Sequence, residues 1–123
     1  MWLLAAPALL AAGCGGGGGR AFTVEKTQSC LVDKGFRIGH AVDFVASTAT
    51  GGAFRTYFPE NDVTVVFGRT QEDAVNLEQA YRRFHAKNVG IDDVLSRDRN
   101  AVLLWRFHPS DADRTTLGSC LSG

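Results

Sequence analysis

The sequence is poor in the features that usually announce a chemistry. It has three cysteines, three prolines, one methionine and no excess of either charge, with 13 basic side chains set against 13 acidic ones. The longest basic run is Arg82-Arg83, so the electrostatic footprint by which a protein gathers nucleic-acid phosphates is missing. DNA and RNA are excluded as partners on that ground. No apolar run reaches the ~20 residues that a membrane-spanning helix needs. The longest candidate, Trp2 to Ala12, has eleven residues and contains Pro7.

Motifs are equally scarce. His40, His85 and His108 stand at no spacing at which a helix or hairpin presents metal ligands, and no cysteine pair lies beside them. The acidic run Asp111-x-Asp113 suggests calcium, but an EF-hand loop begun there would need Gly and Glu where the chain has Thr116 and Ser122. Ser47, Ser96 and Ser119 lack a Gly-x-Ser-x-Gly elbow. Asp43 and Glu60 form no more of a carboxylate pair than any two acids do. Gly15 to Gly19 is an unbroken glycine run, yet no Gly-Lys-Ser/Thr follows it. Five glycines read instead as a flexible tether, with an r.m.s. span of about 12 Å. The expectation is therefore no catalytic set, no metal and no cofactor.

What is present is a division of the chain. Residues 1–19 carry no charged side chain, and every charge lies from Arg20 onward. Trp2 to Ala12 fits a signal-peptide h-region, and the small residues Ala11-Ala12-Gly13 before Cys14 have the shape of a cleavage site. Leu10-Ala11-Ala12-Gly13-Cys14 resembles the lipobox of bacterial prolipoproteins. It departs from the usual pattern in carrying Leu10 one place further upstream. The basic n-region is also missing, which an upstream start codon would explain. The resemblance covers only the first fifteen residues or so, and it implies removal of residues 1–13, acylation of Cys14 and anchoring to a bacterial membrane outside the cytoplasm. An ordinary secretory signal cut nearby is the alternative.

Cysteine parity agrees with this reading. An odd count in an exported protein leaves one cysteine to explain, and acylation of Cys14 explains it. Cys30 and Cys120 then remain to form one disulfide in an oxidising compartment. Residues 14–19 become the lipidated cysteine and its tether, and residues 20–123 a single domain large enough for a modest core.

Within that domain Thr23 caps a predicted helix from Val24 to Lys34, stopped by Gly35, with Val24, Thr27, Cys30 and Leu31 on one side. From Phe36 the period changes to two, which predicts a strand through Phe44, although Asp43 to Thr50 reads equally well as a short helix ended by Gly51-Gly52. Ala53–Phe58 and Val63–Gly68 form a predicted hairpin across Pro59-Glu60-Asn61-Asp62, which sets Phe58 opposite Val63, Thr56 opposite Val65 and Phe54 opposite Phe67. A helix from Gln71 to Lys87 follows, with Thr70 and Asp73 approximating a capping box. Its inward stripe is Ala74, Leu77, Ala80, Tyr81 and Phe84. Asn88 to Arg99 reads as a connector, and Ala101 to Phe107 as a central strand apolar on both faces. Ser110 caps a last helix that carries Leu117, Cys120 and Leu121 inward.

The fold expected is α+β, in the order α-β-β-β-α-β-α, with a mainly antiparallel sheet of about four strands and two or three helices. Arg55 and Tyr57 on the second face of the hairpin, with Trp105 and His108 at the exit of the last strand, make a candidate binding surface of the residue types that interfaces favour. The apolar run around Trp105 favours its burial over its exposure. The layout resembles that of many uncharacterised bacterial envelope lipoproteins, and the role expected of the domain is noncatalytic binding. The expected partners are membrane lipid through Cys14 and an envelope protein or cell-wall component. A small-ligand carrier or an enzyme with an unfamiliar site is the rival reading. A deep pocket with converging polar groups would favour the rival.

Overall fold

Thr23 turns the chain into its first helix. Its backbone is extended and its hydroxyl accepts from Lys26 N–H, so α1 begins at Val24 and runs to Asp33. Gly35, at φ +92°, ends it in a conformation that side chains rarely tolerate. The computed structural model describes residues 20–85 and 90–123, and the lipobox-like segment with Cys14 lies outside them.

Among the described residues ten elements follow one another: α1, β1 (Ile38–Gly39), α2 (Phe44–Ser47), β2 (Ala53–Phe58), β3 (Asn61–Phe67), α3 (Gln71–Phe84), α4 (Ile91–Val94), β4 (Leu95–Asp98), β5 (Ala101–Trp105) and α5 (Asp111–Cys120). The fold is α+β. Its five strands form one sheet in the order β1-β2-β3-β5-β4, antiparallel throughout. Two of the five helices, α2 and α4, are single turns of four residues.

Helices cover both faces of the sheet. On one face α1 and α5 bring Leu31, Leu117 and Cys120 onto Phe54, Val63, Val65, Phe67, Leu103 and Trp105. The other face receives Val45 and Ala46 from α2 and Ala74, Leu77 and Tyr81 from α3, packed on Val66, Val102 and Leu95. The central strand β3 is accordingly buried from Asp62 to Phe67, as a strand covered on both sides must be. No helix of the described residues is long and apolar enough to cross a membrane.

Several elements depart from expectation, each for a local reason. The predicted strand after Phe36 is cut to two residues, and the helical alternative holds from Phe44, because Asp43 caps α2 by accepting from Ala46 N–H at 2.9 Å. In the hairpin the partners are Phe58↔Asn61, Thr56↔Val63 and Phe54↔Val65, a slip of two residues from the predicted register. The turn is Pro59-Glu60 alone, and Asn61 and Asp62 join the strand. Because side chains alternate with a period of two, a two-residue slip leaves every residue on its expected face. β4 occupies part of the predicted connector. Only Leu95 is buried in it, so this charged edge strand has no apolar alternation to betray it. Its turn to β5 puts Arg99 at φ +55°, where glycine is the usual signal. Finally, α3 stops at Phe84, and β5 stops at Trp105 with Phe107 exposed.

The chain enters and leaves at one end of the sheet. Asn100 is 2 % exposed; its amide accepts from Phe22 N–H at 2.8 Å and donates to the carbonyls of Phe22 and Gly68 at 2.9 and 2.8 Å. Thr23 N–H donates to Ser122 C=O at 2.8 Å. Cys30 and Cys120 are joined in a disulfide with a Cα separation of 5.3 Å, stapling α1 to α5.

Candidate functional site

The four residues expected to form a binding surface do not share one. Arg55 and Tyr57 lie on β2, on the face that α2 and α3 partly cover. Two cations approach the Tyr57 ring, with the Arg37 guanidinium 4.4 Å from its centroid and that of Arg55 at 5.8 Å. Gly39 lets the ring sit this close to β1, because a Cβ there would fall 2.6 Å from the Tyr57 hydroxyl. Trp105 points to the opposite face, 3 % exposed, with its ring 5.5 Å from that of Phe58. It packs in the apolar layer under α1 and α5 and, at the end of β5, also lines the groove between α2, α3 and α4. His108 stands exposed beyond the end of β5, its Nδ1 3.0 Å from the carbonyl of Asp93. Trp105 and His108 meet along a small cleft of about 240 Å³ that also touches Asp93 and Arg114.

A larger feature escaped the sequence reading. On the face of α2 and α3, a predominantly apolar groove of about 540 Å³ opens between these helices, α4 and the end of β5. Leu104 forms its floor and Ile91 and Val94 one wall. Phe44 and Phe84 line it while being 79 % and 69 % exposed. Phe84 falls in the predicted inward stripe of α3, yet the last turn of that helix faces this groove instead of packed side chains. The groove exists because α2 is one turn long and cannot cover the part of the sheet beside α3.

A polar strut holds its edges. The Tyr81 hydroxyl donates to the Asp43 carboxylate, 2.8 and 2.9 Å from its two oxygens, and Asp43 Oδ1 also accepts from Ala46 N–H. One side chain thus caps α2 and fastens it to α3. Burial first, and then the hydrogen bond to Asp43, hold the Tyr81 phenol far above its ordinary pKa of 10.0. A phenol so held stays protonated at neutral pH and is neither base nor nucleophile there.

Beside the groove two guanidiniums share one carboxylate. Asp62 is 7 % exposed; Arg55 Nη2 meets its Oδ1 at 2.8 Å and Arg106 Nη1 its Oδ2 at 3.7 Å. The hydrogen bond to Asp62 raises the Arg55 pKa against its own desolvation, and Arg55 Nε is buried without a partner. Arg106 lines the groove, and its side chain is 65 % exposed. Asn61 fixes the chain here, accepting from Phe107 N–H and donating to Phe107 C=O at 3.0 Å each. The register explains why this cluster was missed. Arg55 opposes Thr64 and therefore lies diagonal to Asp62, whereas the predicted register put it opposite Val66.

No protein-family model, curated protein or solved structure matches the chain. The geometry of the groove is therefore the guide to what the domain does. Its position adds one more fact. Groove and entry of the chain lie at opposite ends of β5, since Asn100 holds Phe22 and Arg106 stands six residues further on, about 20 Å along an extended strand.

Proposed function

We infer that the chain is an exported lipoprotein, tethered to a membrane through acylated Cys14, whose single domain binds a partner in the groove between α2, α3 and α4 without turning it over. The observation that carries the binding role is the pair Phe44 and Phe84. Two phenylalanines more than two-thirds exposed on the rim of one apolar groove are costly to leave in water and are the kind of patch that marks an interaction site. The lipobox-like run and the odd cysteine support the tether. Attachment at the Asn100 end of the sheet would leave the groove facing away from the anchor.

The groove has a few polar groups on a largely apolar lining, which suits recognition by burial with a small orienting contribution. Asp43 and Tyr81 are committed to each other, and the lining also carries the polar side chains of His85 and Arg106.

Two experiments test the parts separately. Expression in a bacterial host with labelled fatty acid should give label in the parent chain and none in Cys14→Ser; equal labelling, or none in either, contradicts the anchor. For the groove, Phe44→Ser with Phe84→Ser should cut binding of the neutral dye Nile red at least fivefold while the fold melts normally. Unchanged dye binding would move the site elsewhere.

A further inference from the structure

We propose that the groove takes a single-chain anionic amphiphile, a carboxylate with an alkyl tail, whose head is received by Arg106 while the tail lies over Leu104 between Phe44 and Phe84. The proposal rests on the groove being the binding site and adds the class of ligand. Its volume, about 540 Å³, lies within the range of small-molecule sites, roughly 300 to 1,000 Å³. The head group is argued from charge. Asp62 gives its short contact to Arg55 at 2.8 Å and leaves Arg106 a long one at 3.7 Å. Two guanidiniums on one carboxylate leave one positive charge over at the edge of an apolar surface. A ligand carboxylate is the planar acceptor a guanidinium fork fits best.

The acid on the same wall does not invite a cation instead. Asp43 is engaged by the Tyr81 hydroxyl through both oxygens and by Ala46 N–H through one, and a cationic head would compete with those donors. The long Arg106 contact asks for no such sacrifice. The tail is argued from the lining, where Phe44, Val45, Phe84, Val94 and Leu104 offer carbon and no hydrogen-bonding side chain.

The test is calorimetric titration of the full chain with decanoate, decanol and decyltrimethylammonium, each below its micelle threshold. Decanoate should bind about tenfold more tightly than decanol, and the cationic amphiphile more weakly than either. Arg106→Gln should abolish the difference between decanoate and decanol, and Arg106→Lys should restore part of it. Melting temperatures of the variants check that the fold is intact, which the exposure of Arg106 leads one to expect. Equal affinity for all three probes would overturn the head-group assignment and leave the apolar groove standing. A decanoate preference that survives Arg106→Gln would overturn the role of Arg106. Failure of every probe to bind would overturn the ligand class, and crosslinking from the groove would then decide separately whether it is a binding site at all.

Discussion

Asn100 joins three parts of the chain with one amide: the backbone of Phe22 on its way into α1, the carbonyl of Gly68 after β3, and the turn that starts β5. Removing it leaves three buried or half-buried backbone groups without partners, and each such orphan costs on the order of 1 kcal/mol or more. Asn100→Ala should therefore destabilise the oxidised protein by about 2 to 4 kcal/mol, read as a lower urea midpoint at unchanged slope. Tyr81 carries a prediction in pH. Its folded pKa is raised above the unfolded value of 10.0, so above pH 10 the unfolded chain loses a proton that the folded chain keeps. Stability from this group is complete below pH 10 and falls as the pH climbs beyond it. Melting temperatures should decline above pH 10 in the parent and decline less in Tyr81→Phe, which cannot ionise; parallel curves would contradict the assignment. Neither residue announced itself in the sequence. Tyr81 was legible as a core aromatic, but its acceptor lies 38 residues away, and Asn100 fell between the predicted connector and the predicted strand, in neither of them.

Helices with good caps were the most legible elements, because capping is local chemistry. Thr23, Thr70 and Ser110 each accept the backbone hydrogen bond their positions promised. Strands were legible where one face is apolar and obscure where it is not. The hairpin of β2 and β3 was found with its faces right and its partners two residues off, since hydrophobic alternation specifies parity and the turn specifies register. That slip hid Asp62 between Arg55 and Arg106. β4 was hidden by its own edge chemistry, Ser96-Arg97-Asp98. The groove was beyond reach because it depends on where α2 and α3 end relative to the sheet. The two kinds of phenylalanine now separate by experiment. Phe54→Ala, at a site fully buried under α1 and α5, should cost about 3 to 5 kcal/mol. Phe44→Ser and Phe84→Ser should each change stability by about 0.5 kcal/mol or less. A large loss from either rim substitution would mean that the groove is closed in solution.

At the scale of the molecule, the two termini of the domain are tied together while the groove opens at the far end. The Cys30–Cys120 bond closes a loop with a sequence separation of 90, for which chain entropy gives roughly 4 to 5 kcal/mol. Non-reducing peptide mapping of exported protein should recover the two as one linked peptide, and reduction should lower the melting temperature by roughly 15 to 30 °C. Recovery as free thiols would remove the staple from the account. The central claim is that the face of Phe44 and Phe84 meets a partner, and Val32 supplies an internal control. It is another exposed large apolar residue, 56 % accessible, but it lies on α1, on the opposite side of the sheet. The most direct measurement is site-specific photo-crosslinking in intact cells, with a photoreactive residue at position 44, 84 or 32. Discrete adducts from 44 and 84, absent from 32 and suppressed by Leu104→Asp in the groove floor, are the result predicted here; the same adduct pattern from all three positions would contradict it.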